Sequence, residues 1–227
     1  MDPFIEREPG YVVAKFPQLM MATVISRPNR FMVKAILNGK EIDVHIHDPG
    51  RLEELIFPGN SMLIRETEGT KTRYSVTFCK NGDIWTFNDS RYHSSIASLF
   101  IKDGWQREVT VGDSRLDFRY NNTYIEVKSA TLVENGKAKF PDAPTQRGKK
   151  HLETLMKLID AGYEAYVLFL IFNENAECFT PNTARDIEFS KTYYSALQHG
   201  VQFKYLVFCN KNGEIQLKNA IKSCNDK

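Results

Sequence analysis

Through the first 87 residues, apolar and polar positions alternate in short runs, the period of strands with one buried face. Strands are predicted at residues 11–15, 19–26, 31–37, 41–47, 61–66, 73–79 and 84–87. Asn38-Gly39 and Asn81-Gly82 are strong hairpin turns. Residues 51–55, closed by Pro58-Gly59, read as a short helical turn. Many short strands around one small helix suggest a compact barrel, for which an OB-like barrel is one arrangement.

After Asn88 the rhythm changes. Residues 94–102 carry Ile96, Leu99 and Phe100 at helical spacing and stop at Gly104. Strands follow at 107–111, 115–120 and 123–129, then a small hairpin within 130–140 around Asn135-Gly136. Residues 145–161 form a helix with Leu152, Leu155, Met156 and Ile159 in one stripe, ended by Gly162. A buried strand at 165–172 precedes an Asp186-capped helix bearing Phe189, Tyr193, Ala196 and Leu197, which stops at Gly200. Strands at 201–208 and 214–218 complete a mixed α/β sandwich. The predicted domains are 1–87 and 88–227, with no internal repeat.

The stretch Ser114 to Lys128 organises the second half. Both arms alternate, and Asn121-Asn122 suits the left-handed geometry of a tight turn. A two-residue loop places Asp117 opposite Glu126 and Arg115 opposite Lys128. Leu116, Phe118, Ile125 and Val127 then share the other, packing face. Facing carboxylates repel, and a divalent cation with hard oxygen ligands reverses the sign. Asp117 and Glu126, with the Val127 carbonyl, are the candidate ligands of one magnesium or manganese ion. Lys128 lies two positions from Glu126 and so on the same face. A metal and a lysine together suit phosphodiester hydrolysis. The competing reading is an exposed charge checkerboard, of little energetic weight.

Composition narrows the class. Of 227 residues, 42% are hydrophobic and 26% charged, as in ordinary globular proteins, and the net charge is only +2. The basic residues are locally concentrated: Lys137, Lys139, Arg147, Lys149, Lys150 and Lys157 stand against Asp142 and Glu153. The longest apolar run, Ala165 to Phe172, is too short to span a bilayer. The N-terminus lacks a signal-peptide pattern, and Cys79, Cys178, Cys209 and Cys224 show no metal or redox spacing. Each cysteine reads as a reduced thiol, and the chain as cytoplasmic, without a membrane partner.

Ser114-Arg115-Leu116-Asp117-Phe118, Glu126-Val127-Lys128-Ser129 and the string Phe140-Pro141-Asp142-Ala143-Pro144-Thr145-Gln146-Arg147-Gly148-Lys149-Lys150-His151-Leu152 resemble the sugar fermentation stimulation protein family. Arg30-Phe31, His45, Gly50-Arg51-Leu52 and Pro58-Gly59 agree, so the resemblance covers nearly the whole chain. It implies an N-terminal OB-fold joined to a domain similar to PD-(D/E)xK nucleases, in a cytoplasmic DNA-binding protein linked to sugar metabolism. The superfamily's acidic pair and lysine map onto Asp117, Glu126 and Lys128. Two departures stand out. His45-Ile46-His47-Asp48-Pro49-Gly50 replaces the family's His-Cys-Pro-Asn-Thr-Gly. The helix at 94–102 offers Leu99 where many members carry Asn and Glu, which favours a single-metal site over a two-metal one.

Arg115, Arg147, Lys149, Lys150 and His151 are the candidate nucleic-acid contacts, with Arg147, Lys150 and His151 also placed to lend a catalytic proton near the hairpin face, set against a reading as solvated charges. Asp142 suits a third ligand or, better, a turn cap. His45 and His47 share a strand face without a third ligand, and read as structural or substrate-contacting. Tyr74, Phe78, Trp85 and Phe87 read as core rather than as base-stacking residues. Two functions follow: a magnesium-dependent nuclease acting on DNA or RNA, and a non-catalytic DNA-binding regulator of sugar genes. Oligomeric state, a homodimer included, stays open.

Overall fold

The computed structural model describes residues 2–68 and 72–224. The first part contains β1 (Val12–Lys15), β2 (Met20–Asn29), β3 (Met32–Leu37), β4 (Lys40–His45), β5 (Ser61–Glu66), β6 (Tyr74–Asn81) and β7 (Ile84–Phe87). After a 3-10 turn at Ser90–Tyr92 come α1 (His93–Ser98), β8 (Gln106–Val111), β9 (Ser114–Tyr120), β10 (Thr123–Ala130), β11 (Val133–Glu134) and β12 (Lys137–Phe140). The chain continues with α2 (Gln146–Asp160), β13 (Glu164–Ile171), β14 (Cys178–Pro181), α3 (Ile187–His199), β15 (Gln202–Lys211) and β16 (Glu214–Ser223).

β2, β3, β4, β6 and β5 close into a five-stranded barrel, because β4 pairs with β6 as well as with β3. This is the OB arrangement. Inward positions of the alternating pattern, among them Val33, Ala35, Val44, Met62, Ile64 and Val76, fill its core. The short turn expected at 51–55 is present, with the Leu55 and Ile56 amides both donating to the Leu52 carbonyl, at 3.0 and 2.8 Å. Arg27 braces this end of the barrel, donating to the carbonyls of Arg30 at 2.9 Å, Asp48 at 3.3 Å and Arg51.

The second domain is mostly sheet with few helices. Its sheet runs β11-β12-β14-β16-β15-β13-β10-β9-β8, and β1 adds to β16. The first strand, expected in the barrel from its alternation, therefore belongs to the large sheet: Ala14 pairs with Ile215 and Lys15 with Glu214. β10, β13 and β15 run parallel, and the central one, β13, has the continuous apolar run from Ala165 to Ile171 expected of a strand covered on both faces. One face packs on α2 and α3 through Leu152, Leu155, Phe189 and Tyr193. The other packs on α1 and the barrel, where Phe87 meets Phe172 at 5.1 Å and Phe16 at 5.4 Å. Phe78 and Phe87 are thus core, as expected from sequence.

Two further expectations are corrected. Cys178 and Cys224 form a disulfide, whereas all four cysteines were expected to be reduced; Cys79 and Cys209 are free. The reason is topological: β14 lies beside β16, with Phe179 opposite Ser223, so residues 46 apart in sequence become neighbours. Leu116 and Phe118, expected on one packing face, enter opposite clusters, Leu116 under α2 and Phe118 under α1. Between them the alternation breaks at Asp117. Glu108, the β8 residue between the partners of Leu116 and Phe118, is left-handed at φ 53°, which distorts the β8–β9 ladder there.

Candidate active site

The β9–β10 hairpin turns at Asn121, which takes the left-handed conformation at φ 50°. Its pairs are Tyr120–Thr123, Arg119–Tyr124 and Phe118–Ile125, the register predicted for a two-residue loop, but the ladder ends there, and the expected Asp117–Glu126 and Arg115–Lys128 pairs do not form. Beyond Phe118 the strands part, and the Asp117 carboxylate fills the gap, its Oδ2 accepting the Val127 amide at 2.7 Å. β10 stays in the sheet through β13, with Glu126 beside Val167 and Lys128 beside Phe169. One strand is held rigidly while the other peels away. Two carboxylates meet at that fork.

Glu126 is only 2% exposed. Its Oε1 accepts both the Lys128 ammonium and the His151 imidazole Nδ1, while its Oε2 is buried with no hydrogen-bond partner. Burial pushes the Glu126 carboxyl up, but Lys128 and His151 outweigh it and hold the group below its usual range. Asp117 is not held down in that way. Burial, then repulsion from Glu126, pushes it up to about 7, and the Val127 amide and the Lys128 charge offset only part of this. The two carboxyls are thus driven apart in acidity, one anionic and one poised near neutrality.

His151 reaches Glu126 because of how α2 begins. Thr145 caps the helix, its hydroxyl accepting the Gly148 amide at 3.0 Å, and its own amide donates to Asp186, the cap of α3, at 2.8 Å. A side chain at position 148 would collide with Thr145 at 2.8 Å and crowd Phe189 at 3.3 Å, so glycine permits the close helix contact. One turn on, His151 points at the sheet. Arg147 donates to His151 Nε2 at 3.4 Å, so Nε2 accepts and Nδ1 carries the proton toward Glu126. Lys128 Nζ lies 3.4 Å from His151 Nδ1, completing a compact cluster.

The fork therefore gathers Asp117, Glu126, Val127, Lys128, His151 and Arg147. The other basic candidates go elsewhere. Arg115 pairs with Glu108 on exposed β8. Lys149 pairs with Glu188 of α3 at 3.5 Å, and Lys150 donates to the Asp113 carbonyl at 3.1 Å. Asp142 accepts the Leu52 amide at 3.2 Å, bridging the domains as a loop brace. Beside Arg147, a cleft of about 480 Å³ runs between the domains, lined by Arg30, Asp48, Ser129, Asp142 and Arg147. Sequence reasoning missed Asp48 in this cleft, and Arg27 that holds its carbonyl, since nothing in their spacing links residues that far apart to the hairpin.

Would a divalent cation suit this fork? Among the described residues no group of three or more His, Cys, Asp or Glu side chains could hold a metal. The donor set is instead two carboxylates, one with a bare buried oxygen, next to main-chain carbonyls. Hard, weakly dehydrating cations such as magnesium take one or two carboxylates and keep several waters. The residues fit that demand.

Comparison with known proteins is consistent across both domains. Residues 25–87 match the SfsA N-terminal OB domain and residues 91–213 the sugar fermentation stimulation protein RE domain. A sugar fermentation stimulation protein homolog of Picrophilus torridus is 50% identical over 226 residues, covering 100% of both chains. One from Saccharolobus solfataricus is 49% identical, covering 89% of this chain and 84% of its own. A solved structure, that of Pyrococcus furiosus SfsA in complex with Ca2+, superposes with a TM-score of 0.85 at 26% identity, over 93% of this chain and 98% of that one. With both domains matched in order and half of all residues shared with a full-length relative, this chain belongs to the sugar fermentation stimulation protein family.

Proposed function

We propose that the chain is a metal-dependent nuclease that hydrolyses phosphodiester bonds of DNA or RNA, with Asp117, Glu126 and Lys128 as its catalytic set. The observation that carries the reading is the meeting of two buried carboxyls: Glu126 Oε2 has no conventional hydrogen-bond donor, and its carboxyl contacts that of Asp117 and raises its pKa. A fold seldom keeps such an atom unless something binds it. Magnesium or manganese is the cofactor proposed. That the Pyrococcus furiosus relative was solved with Ca2+, another oxygen-seeking cation, supports the choice.

In this reading Asp117, Glu126 and the Val127 carbonyl hold the cation, which supplies Lewis acidity toward the phosphoryl group and an acidified water. Lys128 does the rest of the charge work. Its side chain is 12% exposed, and its ammonium, fixed between Glu126 and His151, is preorganised toward a phosphate that gains negative charge in the transition state. His151 positions Glu126 and Lys128. Arg147 extends the positive edge toward the interdomain cleft, where the nucleic-acid backbone would lie.

One observation favours the second reading, a DNA-binding regulator without turnover: Glu126 Oε1 is already satisfied by Lys128 and His151, so the site closes on itself. Purified protein incubated with single-stranded, duplex and structured DNA and RNA, plus magnesium or manganese, separates the two. Cleavage that Asp117→Asn abolishes supports the nuclease; tight binding with no cleavage supports the regulator. Cytoplasmic localisation belongs to this proposal. No helix among the described residues is long and apolar enough to cross a membrane.

A further inference from the structure

On the barrel, Phe31 is 46% exposed. Its ring stacks on His45 with centroids 6.3 Å apart and planes 4° from parallel, and His47 meets His45 at 4.3 Å with its plane tilted by 57°. The Arg30 guanidinium lies 5.6 Å over the Phe31 ring. Scattered exposed apolar residues need no explanation. A continuous run of three rings with a cation over its outer end is a different object.

The run is held in place rather than loosely displayed. Asn29 accepts the Phe31 amide at 2.9 Å, and the Phe31 carbonyl accepts the Ile46 amide at 3.0 Å, which locks the β2–β3 turn onto the end of β4. His47 contacts Ser75 at 3.2 Å, and its carbonyl accepts Ser90 at 2.6 Å, anchoring the inner end at the domain junction. Arg27 ties the Arg30 carbonyl to that of Asp48, so the turn is braced from beneath. Burial lowers the His47 imidazole to about 4, so its ring is neutral at ordinary pH.

From this geometry we infer that Phe31, His45 and His47 form a stacking platform for unpaired bases, which makes single-stranded nucleic acid the substrate class. The inference rests on the nuclease reading for its direction but not for its chemistry. Arg30 belongs both to the platform and to the interdomain cleft, and Arg147 joins that cleft to His151. A strand stacked on Phe31 would thus carry its phosphates past Arg30 and Arg147 toward the Asp117–Glu126 fork. The cleft acids do not oppose this path freely: Asp48 is engaged by the Gly50 amide and Asp142 by that of Leu52. A duplex keeps its base faces stacked on one another and offers edges and phosphates alone. Aromatic faces reward only bases that are free to leave the stack.

The test measures binding of the full chain by fluorescence anisotropy without divalent metal, so that cleavage cannot intervene. Probes are a 15-mer of deoxythymidine, a 15-mer of uridine and a 15-base-pair duplex, with a strand carrying 2-aminopurine to report stacking. Both single strands should bind more tightly than duplex. Phe31→Ala should weaken single-strand binding about fivefold or more and abolish the 2-aminopurine quenching. Phe31→Trp should restore both, and unchanged melting of Phe31→Ala would exclude misfolding. Equal affinity of Phe31→Ala and His45→Ala for single strands relative to wild type overturns the platform, even if magnesium-dependent cleavage persists. Phe31-dependent single-strand binding, with no cleavage of the same strands once magnesium or manganese is added, upholds the platform and removes the nuclease.

Discussion

Asp117 takes the Val127 amide at 2.7 Å where a strand partner would otherwise sit. This one bond both opens the hairpin and presents the carboxyl to Glu126. Its cost shows in the acidity of Asp117, raised to about 7 by burial and by Glu126. A folded-state value above the unfolded one means an extra proton is bound between about pH 4 and pH 7. The contribution of Asp117 to stability is therefore present at low pH and lost as pH rises through that window. Asp117→Asn keeps an acceptor for Val127 and removes the charge. It should raise the melting temperature at pH 8 by roughly 5 °C. The gain should shrink toward pH 4, as followed by calorimetric scans.

Metal affinity should mirror that titration. Protons and cations compete for Asp117, so affinity should climb up to about tenfold per pH unit below 7 and level off above it. Isothermal titration with manganese from pH 5.5 to 8.5 checks this, and Asp117→Asn should show no binding at any pH. Affinity independent of pH would remove Asp117 from the ligand set.

His151 and Lys128 share one oxygen of a buried carboxylate. His151→Ala should destabilise the fold by about 1–3 kcal/mol, the usual cost of stripping a partner from a buried polar group. His151→Gln, which can still donate, should recover part of the loss. Urea unfolding measures both.

The basic candidates of α2 and β9 should not contribute alike to binding. Arg147 faces the fork and the cleft, so Arg147→Ala should lower the slope of log K against log salt by about one unit. Arg115 is paired with Glu108 on β8, and Arg115→Ala should leave the slope nearly unchanged. Equal effects would mean that nucleic acid also follows the outer face of β8 and β9.

Much of this architecture was legible where the signal is local. The Asn121-Asn122 turn fixed the hairpin register, and the Asp186 and Gly200 punctuation fixed both ends of α3. The OB barrel could be read from alternation, although alternation could not say which sheet Val12–Lys15 would join. What escaped depends on contacts between distant segments. Glu108 twists the ladder so that Leu116 and Phe118 part company, and nothing in the local pattern announces a left-handed glutamate. β14 is four residues long and carries Pro181, too little to read as a strand, and with it the Cys178–Cys224 bridge went unseen. At the fork, Asp117, Glu126 and Lys128 stood out by spacing. The role of His151 as partner of Glu126 did not, because it is set by how closely Gly148 lets α2 approach α3.

The most direct test of the proposed activity is the cleavage rate of Lys128→Ala beside wild type, on one substrate, with magnesium or manganese and with binding measured in parallel. Lys128 is asked to stabilise charge that exists mainly in the transition state, so its loss should fall on turnover rather than on affinity. The predicted result is a rate lower by about a hundredfold or more, with metal and nucleic-acid binding retained. Cleavage by the variant at the wild-type rate would contradict the assignment, and so would a wild-type protein that binds nucleic acid tightly and cleaves none.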